Sequence, residues 1–379
     1  MVPDDIDVRS SAVPACDGGA TGGDPGSAVT VWAGGGDGAR TAGTVSAAAD
    51  VWSGVGGPVV VRAPAKLTVS LRVVGVRSDG FHLIDAEMVS IDLCDELVFE
   101  PGDGLHVVDE VVGGLGIGDV DAGSGNLVCR SLAAAGRRAL VTLRKRIPVR
   151  AGLGGGSTDA AAALRWAGVA DPDVAVRLGA DVPFCLVGGR ARVQGIGDVV
   201  CPLAYRDRRY VLLLPPVGVE TAACYRAWDA LAGGGLVPGA PADADGLRVG
   251  RGGTAGTGAL GTTGALGTTG ALGTTGALGT TGAFGATNDL EMAAVSVMPE
   301  MGDWRDALAR ATGRRPMLAG SGSTWFVEGT LAELGLQDRR WLEVDGRRAP
   351  LVAVRTVAPF EAGSTGAPPA IGTDRRGSA

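Results

Sequence analysis

The sequence has 379 residues and a net charge of −7, because 41 Asp and Glu residues outnumber 34 Lys and Arg residues. This acidic balance gives no support to a nucleic-acid partner or to an anionic membrane surface. Glycine supplies 65 residues, which are concentrated in 1–58 and 231–286 and lack the three-residue period of collagen. Outside those stretches, about 265 residues have ordinary globular composition, which is enough for two modest domains.

Membrane and secretion signals are not found in the sequence. No segment approaches the roughly 20 apolar residues that a membrane span needs. The first residues, Met1-Val-Pro-Asp-Asp, lack a basic region followed by an apolar one, so no signal peptide is predicted. We therefore expect a cytoplasmic protein.

The predicted elements mix strands and helices without the regular alternation of a doubly wound sheet, which favours an α+β fold. Residues 1–58 and 361–379 are expected to be disordered extensions. Strands are predicted from β-branched content and helices from apolar spacing. In chain order, the predictions are strands at 69–74 and 89–99, a helix at 126–140, a strand at 140–147, a helix from 159, a strand at 210–214, helices at 219–231 and 289–312, and strands at 325–328 and 351–357.

A repeat interrupts the second half of the chain. From Gly258 the unit Gly-Ala-Leu-Gly-Thr-Thr occurs four times in register, followed by a degenerate fifth copy. A six-residue period can indicate a parallel β-helix. Units with a single Leu each bury too little apolar surface for that fold, so we interpret 232–287 as a disordered surface insertion without a chemical role.

A glycine-rich loop lies between the strand at 140–147 and the helix that follows. Consecutive glycines let backbone N–H groups converge on one point, and the helix N-terminus adds partial positive charge. The loop therefore predicts a phosphate-binding site; it matches neither the Walker A pattern nor the dinucleotide fingerprint. Ser157 and Thr158 can cap the helix, or the Ser157 hydroxyl can ligate Mg²⁺. The predicted ATP-binding residues are Pro148, Val149, Arg150, Ala151, Gly152, Leu153, Gly154, Gly155, Gly156, Ser157 and Thr158.

With this loop, the chain resembles the GHMP kinases, named after galactose, homoserine, mevalonate and phosphomevalonate kinases. Within that superfamily it most resembles the 4-diphosphocytidyl-2-C-methyl-D-erythritol kinases. The resemblance covers about 61–328 and rests on blocks in family order. These blocks are Ala63-Pro-Ala-Lys-Leu, Asp79-Gly-Phe-His, Gly125-Asn-Leu, Lys145-Arg-Ile-Pro, Gly152-Leu-Gly-Gly-Gly-Ser, Leu178-Gly-Ala-Asp-Val-Pro-Phe, Gly218-Val, Asn288-Asp-Leu-Glu and Ala319-Gly-Ser-Gly-Ser-Thr.

The resemblance implies transfer of the ATP γ-phosphate, with Mg²⁺, to the 2-hydroxyl of the erythritol moiety in the non-mevalonate isoprenoid pathway. The family's catalytic pair corresponds to Lys66 and Asp181. Asp181 would accept the hydroxyl proton, and Lys66 would keep Asp181 ionised and neutralise charge on the phosphoryl group. The chain contains two lysines, Lys66 and Lys145. A chemical need for a compact ammonium explains Lys66, whereas compositional drift is the alternative from counts alone.

The resemblance also implies a binding site for the cytidine group. The aromatic ring of Phe81 would stack on the base, His82 would bond to its edge, and Tyr225 would close the other face. Lys145 matches a family basic position, although a solvated strand-end charge is an equal alternative. The complete set of expected substrate-binding residues is Thr68, Phe81, His82, Thr221, Tyr225, Gly320, Ser321 and Gly322.

Some positions depart from the family pattern. Thr68 stands where the family usually has Asn, and Phe81 replaces the usual Tyr. Arg150 lies in a loop segment that is usually small and apolar. The alternatives are therefore another GHMP kinase, which would lack the Asp79-Gly-Phe-His block, and a catalytically silent ligand-binding protein, which would have lost Lys66 or Asp181.

The resemblance predicts a two-lobed architecture. A lobe at 59–204, similar to domain 2 of ribosomal protein S5, would carry the phosphate loop, and a ferredoxin-like lobe at 205–360 would carry the insertion. The expected partner is a small-molecule substrate, bound by a monomer or a weak homodimer, with no nucleic acid and no membrane.

Overall fold

The computed structural model describes residues 57–116, 118, 120–232 and 287–360. The predictions for the tail at 361–379, for nearly all of the extension at 1–58 and for nearly all of the insertion at 232–287 fall outside these residues.

The first half of the chain forms a six-stranded sheet around two long antiparallel strands. The second long strand pairs with the first on one side and with two shorter strands, end to end, on the other. One edge pair is parallel, and the remaining pairs are antiparallel. The strands are β1 (Val59–Val76), β2 (His82–Glu100), β3 (Gly104–Asp109), β4 (Leu140–Lys145), β5 (Arg190–Gly195) and β6 (Val199–Pro202).

Helices of the first half pack around an alanine-rich helix that begins inside the glycine loop. Gly154, with φ of 67°, precedes its first turn, and the run from Ala160 to Leu164 is fully buried. Small side chains let this helix lie close to β1 and to its neighbouring helices. The helices are α1 (Leu127–Ala134), α2 (Gly155–Trp166), α3 (Pro172–Leu178) and α4 (Val182–Val187).

The second half forms a five-stranded antiparallel sheet in the order β10-β11-β7-β9-β8. Its strands are β7 (Arg209–Leu213), β8 (Met317–Leu318), β9 (Trp325–Glu328), β10 (Trp341–Val344) and β11 (Arg347–Arg355). Within the described residues, three helices accompany it: α5 (Thr221–Leu231), α6 (Glu291–Val297) and α7 (Glu300–Thr312). No helix within the described ranges is long and apolar enough to cross a membrane.

The α+β expectation is confirmed, with local differences. The single helix predicted at 289–312 is two helices, separated at Met298 and Pro299, because proline disfavours helical geometry in the residue before it. The helix predicted at 126–140 ends at Ala134, just before Gly136 with φ of 62°. The helix predicted from 159 begins at Gly155, because the last glycines of the loop form its first turn.

The two halves are joined by a shared core and by the end of the described chain. One cluster of buried side chains includes Leu71 from the first sheet and Val211 and Trp304 from the second half. After β11 the chain returns to the first half, where Val357 N–H donates to the Ser90 carbonyl at 2.9 Å. The Phe360 ring then packs against Arg165, whose guanidinium lies 3.7 Å from the ring centroid.

Candidate active site

A cleft of about 960 Å³ is lined by residues from both halves. One end is formed by the glycine loop, and the other by the start of β2 and by α5. Every residue of the predicted phosphate loop except Thr158 lines it. Thr158 is instead buried, and its hydroxyl donates to the Pro64 carbonyl at 2.6 Å.

The glycine loop is held in contact with β1 and with the loop after β8. Lys66 N–H donates to the Leu153 carbonyl at 3.0 Å, which fastens the loop to β1. A Cβ on Gly152 would lie 2.2 Å from the Ala319 carbonyl oxygen, and a Cβ on Gly154 would lie 2.7 Å from Cγ of Lys66. Both residues have positive φ. Glycine is therefore required here for space as well as for backbone conformation.

Lys66 and Asp181 meet in the cleft beside this loop. The Lys66 Nζ lies 3.3 Å from Asp181 Oδ2, and the lysine side chain is 7% exposed. Asp181 immediately precedes α4 but does not cap it through its side chain, so its carboxylate is free for the cleft. The same Nζ donates to the Thr68 hydroxyl at 3.2 Å. Thr68 lies two residues after Lys66 on β1, and its hydroxyl therefore orients the lysine side chain.

The second lysine is buried against the base of the loop. Lys145 Nζ contacts Asp95 Oδ2 and lies 2.7 Å from Asp159 Oδ2. Asp95 also accepts hydrogen bonds from the backbone N–H groups of Arg146 and Ile147, at 2.6 and 2.8 Å. The solvated charge considered for Lys145 is therefore wrong: the side chain is 4% exposed.

Burial and charge perturb the pKa values of this cluster. Burial raises the pKa of Asp159 to about 8, and the nearby Asp95 adds to the shift against the opposing effect of Lys145. Burial would lower the pKa of Lys145, but the two carboxylates outweigh it and raise that pKa. Asp159 Oδ1 has no hydrogen-bond partner among the described residues. A protonated Asp159 avoids a second negative charge beside one lysine.

The far end of the cleft carries a cluster around His82. The Tyr225 ring lies 4.6 Å from the imidazole at 30°, and the Trp228 ring lies edge-on at 5.7 Å. Asp229 Oδ1 is 2.7 Å from His82 Nε2. Phe81 stands at the rim, 58% exposed, with the Arg77 guanidinium 5.7 Å from its ring centroid.

Between the two ends, the loop after β8 approaches the start of α5. The hydroxyls of Thr221 and Ser321 lie 3.0 Å apart. Asn288 donates to the carbonyls of Leu318 and Gly320, at 2.9 and 2.6 Å, and thereby fixes the turn of that loop. Ser321 and Gly320 line the cleft, whereas a Cβ on Gly322 would meet Met301 at 2.9 Å, so Gly322 serves packing.

Hydroxyl and carboxylate side chains along the cleft are the groups that could contact a cation. Ser157 and Asp181 both line it, and no group of three or more His, Cys, Asp or Glu side chains that could hold a metal was found within the described ranges. Mg²⁺ commonly enters kinase sites with the nucleotide, bound by phosphate oxygens, water and one or two protein oxygens. A hydroxyl and a carboxylate beside a phosphate loop fit that mode of binding.

Sequence reasoning identified most of these residues, but it missed Trp228, Asp229 and Asp95 and did not recognise the burial of Asp159. Asp229 and Trp228 are on the same helical face as Tyr225, at spacings of four and three residues, and that spacing was the available signal. Asp95 lies within β2, and only the fold brings it to Lys145, 50 residues away in the chain. Asp159 was taken as part of a helix start because the sequence does not reveal its burial.

The fold and the cleft define a small-molecule kinase of the GHMP type. The chain is 35% identical over 266 residues to 4-diphosphocytidyl-2-C-methyl-D-erythritol kinase of Paracoccus denitrificans, covering 70% of this chain and 84% of the relative. It is 33% identical over 306 residues to the enzyme of that name from Paramagnetospirillum magneticum, covering 74% of this chain and 95% of the relative. The chain belongs to the 4-diphosphocytidyl-2-C-methyl-D-erythritol kinase family.

A solved structure supports the same assignment. The crystal structure of a 4-(cytidine 5'-diphospho)-2C-methyl-D-erythritol kinase matches with a TM-score of 0.52 and 29% identity, and the match covers 79% of this chain and all of the other. No family model matches the chain.

Proposed function

We propose that this protein transfers the γ-phosphate of ATP to the 2-hydroxyl of 4-diphosphocytidyl-2-C-methyl-D-erythritol, giving the 2-phosphate and ADP. ATP is the phosphate donor that the kinase family implies, and the acceptor is the compound in the relatives' name. The observation that carries the proposal is the Lys66–Asp181 contact of 3.3 Å, in a cleft bordered by a glycine loop.

The chemistry assigned to the pair follows from its geometry. The acceptor oxygen attacks the γ-phosphorus, the bond from that phosphorus to the β,γ-bridging oxygen breaks, and the hydroxyl proton passes to Asp181. Lys66 pairs with the carboxylate and neutralises charge that spreads over the phosphoryl oxygens. Because Lys66 is almost fully buried, little water screens this interaction.

The glycine loop and the start of α2 bind the triphosphate in this proposal. The N–H groups at the start of a twelve-residue helix carry partial positive charge toward that position. When Mg²⁺ is bound it neutralises phosphate charge and orients the transferring group. Ser157 is the protein group that would hold it.

The acceptor's cytidine group is assigned to the end of the cleft around His82, Tyr225 and Phe81. Aromatic rings stack on any base, and the imidazole can bond to a base edge. Thr221 and Ser321 are assigned to the acceptor's phosphate or hydroxyl groups. This aromatic end favours a cytidylyl acceptor over the smaller acceptors of other GHMP kinases.

We also propose roles for the two halves, a location and an assembly for the chain. The halves 59–204 and 205–360 would act as the phosphate-loop lobe and the acceptor lobe of a cytoplasmic enzyme. A monomer or a weak homodimer is the proposed assembly.

The direct test measures ADP release by the purified protein with Mg-ATP and the cytidylyl acceptor, with mevalonate and homoserine in parallel. Saturable turnover with the cytidylyl acceptor alone is the expected result. Turnover with another alcohol would replace the acceptor but keep the phosphoryl transfer. Nucleotide binding without turnover on any acceptor would contradict the proposed activity.

The roles of the pair are tested by Lys66→Ala and Asp181→Asn. Each is expected to lower kcat by about 10²–10⁴-fold, the range over which general acid–base groups contribute. Circular dichroism checks that each variant is folded, because Asp181→Asn leaves the buried Lys66 ammonium without its carboxylate. A folded variant with near-normal kcat would remove that residue from the mechanism.

A further inference from the structure

Asp229 lies where it can control which base the cleft accepts. It lies four residues after Tyr225 on α5, so both side chains face His82 from one helical surface. Its Oδ1 lies 2.7 Å from His82 Nε2, and the histidine side chain is only 12% exposed. The pair is therefore a defined feature of the cleft wall, since His82 and Asp229 both line the cleft.

The hydrogen bond fixes which histidine nitrogen carries the proton. A carboxylate can only accept, so Nε2 is the donor in this contact. In the neutral ring the other nitrogen, Nδ1, is then an acceptor. Tyr225 and Trp228 pack against the imidazole and hold it in this orientation.

The Asp229 carboxylate has a second oxygen that can accept a hydrogen bond. Asp229 is 48% exposed, and its Oδ2 has no partner among the residues that the structure describes. The acceptors of the pair are thus Oδ2 and, in the neutral ring, Nδ1, while Arg226 of the same helix also lines the cleft. A base that binds here gains most if the edge it presents carries N–H groups.

The two pyrimidines of nucleotides differ at that edge. Cytosine carries an exocyclic amino group with two N–H donors, whereas uracil carries a carbonyl oxygen at the same position. Carboxylates accept from the cytosine amino group, and an acceptor facing the uracil oxygen is repulsive. We infer that Asp229, together with the His82 it orients, is the residue that selects cytosine over uracil. This inference rests on the proposed function, because it places the acceptor's base at the His82 end.

The experiment measures dissociation constants for CDP and UDP by calorimetry. Wild type is expected to bind CDP about tenfold or more tightly than UDP, in keeping with the discrimination typical of a well-placed base contact. In Asp229→Asn the amide can donate to the uracil oxygen, so the ratio is expected to fall to about threefold or less. Asp306→Asn, an exposed acid on α7 outside the cleft, is the matched control and should keep the wild-type ratio.

Steady-state kinetics distinguish a failure of this inference from a failure of the proposed function. In Asp229→Asn the KM for the cytidylyl acceptor should rise about tenfold, with kcat and the KM for ATP within about twofold of wild type. An unchanged CDP-to-UDP ratio in that variant, or a wild type that binds both equally, overturns the inference even if the enzyme is active. A wild type that prefers CDP and loses the preference in Asp229→Asn supports the inference even if the cytidylyl acceptor is not turned over.

Discussion

At the residue scale, Arg150 has a strained backbone conformation within the phosphate loop. Its φ is 56°, a conformation in which L side chains crowd the following carbonyl. The side chain lines the cleft, and a Cβ on Gly218 would lie 3.0 Å from the Arg150 Cβ, so the stem follows the segment that leads to α5. A guanidinium held there can bind phosphate oxygens, which would offset the backbone strain in function.

Two substitutions of Arg150 separate strain from charge. Arg150→Gly is expected to raise the free energy of unfolding by about 0.5–1 kcal/mol, because glycine adopts positive φ without strain. Arg150→Ala keeps the strain and should not stabilise the protein. Both variants lose the guanidinium, so both should raise the KM for ATP or for the cytidylyl acceptor by a similar factor. Denaturant unfolding and steady-state kinetics give the two readouts, and equal unfolding energies for the two variants would contradict the strain argument.

At the scale of elements, the buried lysine cluster joins β2, β4 and α2 underneath the glycine loop. Asp95, Lys145 and Asp159 come from these three elements in turn. Breaking a buried pair leaves an uncompensated charge, so the cluster fixes the position of α2 relative to the sheet. Gly155 lies directly against this cluster, because a Cβ added to it would lie 3.1 Å from Lys145 Nζ.

This cluster predicts a pH dependence of stability. Folding raises the pKa of Asp159 from 3.8 to about 8, so between these values the folded protein holds a proton that the unfolded chain has released. Its contribution to stability is therefore complete below the ordinary carboxyl pKa and is lost as pH rises to about 8. Asp159→Asn should flatten this part of the curve of Tm against pH. A parallel curve in the variant would show that Asp159 is ionised in the folded protein.

At the scale of the whole molecule, the end of the described chain stabilises the union of the two halves. Phe360 packs on Gly188, where a Cβ would lie 2.7 Å from the ring, and under Arg165. Burial lowers the pKa of Arg165 to about 10, which reflects how little water reaches this guanidinium. The ring therefore meets a desolvated cation, the setting in which such contacts are strongest.

The contribution of this anchor can be measured against an exposed pair of the same kind. Phe360→Ala is expected to lower the free energy of unfolding by about 2 kcal/mol, through lost apolar burial and the lost cation–π contact. Trp341 is 46% exposed and lies 4.9 Å from the Arg348 guanidinium, so Trp341→Ala should cost below about 1 kcal/mol. Denaturant unfolding compares the two, and equal costs would show that the returning segment is not an anchor.

Features that depend on local sequence pattern could be predicted from the sequence, whereas features that depend on contacts made by the fold could not. The strand predicted at 325–328 coincides with β9 because alternation and turn residues are local signals. Pro299 was a local signal for the break between α6 and α7, but the apolar spacing on both sides of it favoured one continuous helix. The contact of Lys66 with Asp181, 115 residues apart, was expected from family motifs, whereas the partners of Lys145 and His82 required the folded chain.

The double passage of the chain between its halves constrains how the cleft can change width. Within the described residues, the polypeptide crosses between β6 and β7 and returns after β11, where Thr356 bridges to Ile91. The shared core and the hydrogen bond from Thr324 N–H to the Ala151 carbonyl also join the halves, so sliding of one half along the other is opposed. Lys66, Asp181 and the glycine loop all belong to the first half, so the groups proposed for phosphoryl transfer are positioned by one continuous body. The second half contributes α5, the helix assigned to acceptor binding, to the same cleft.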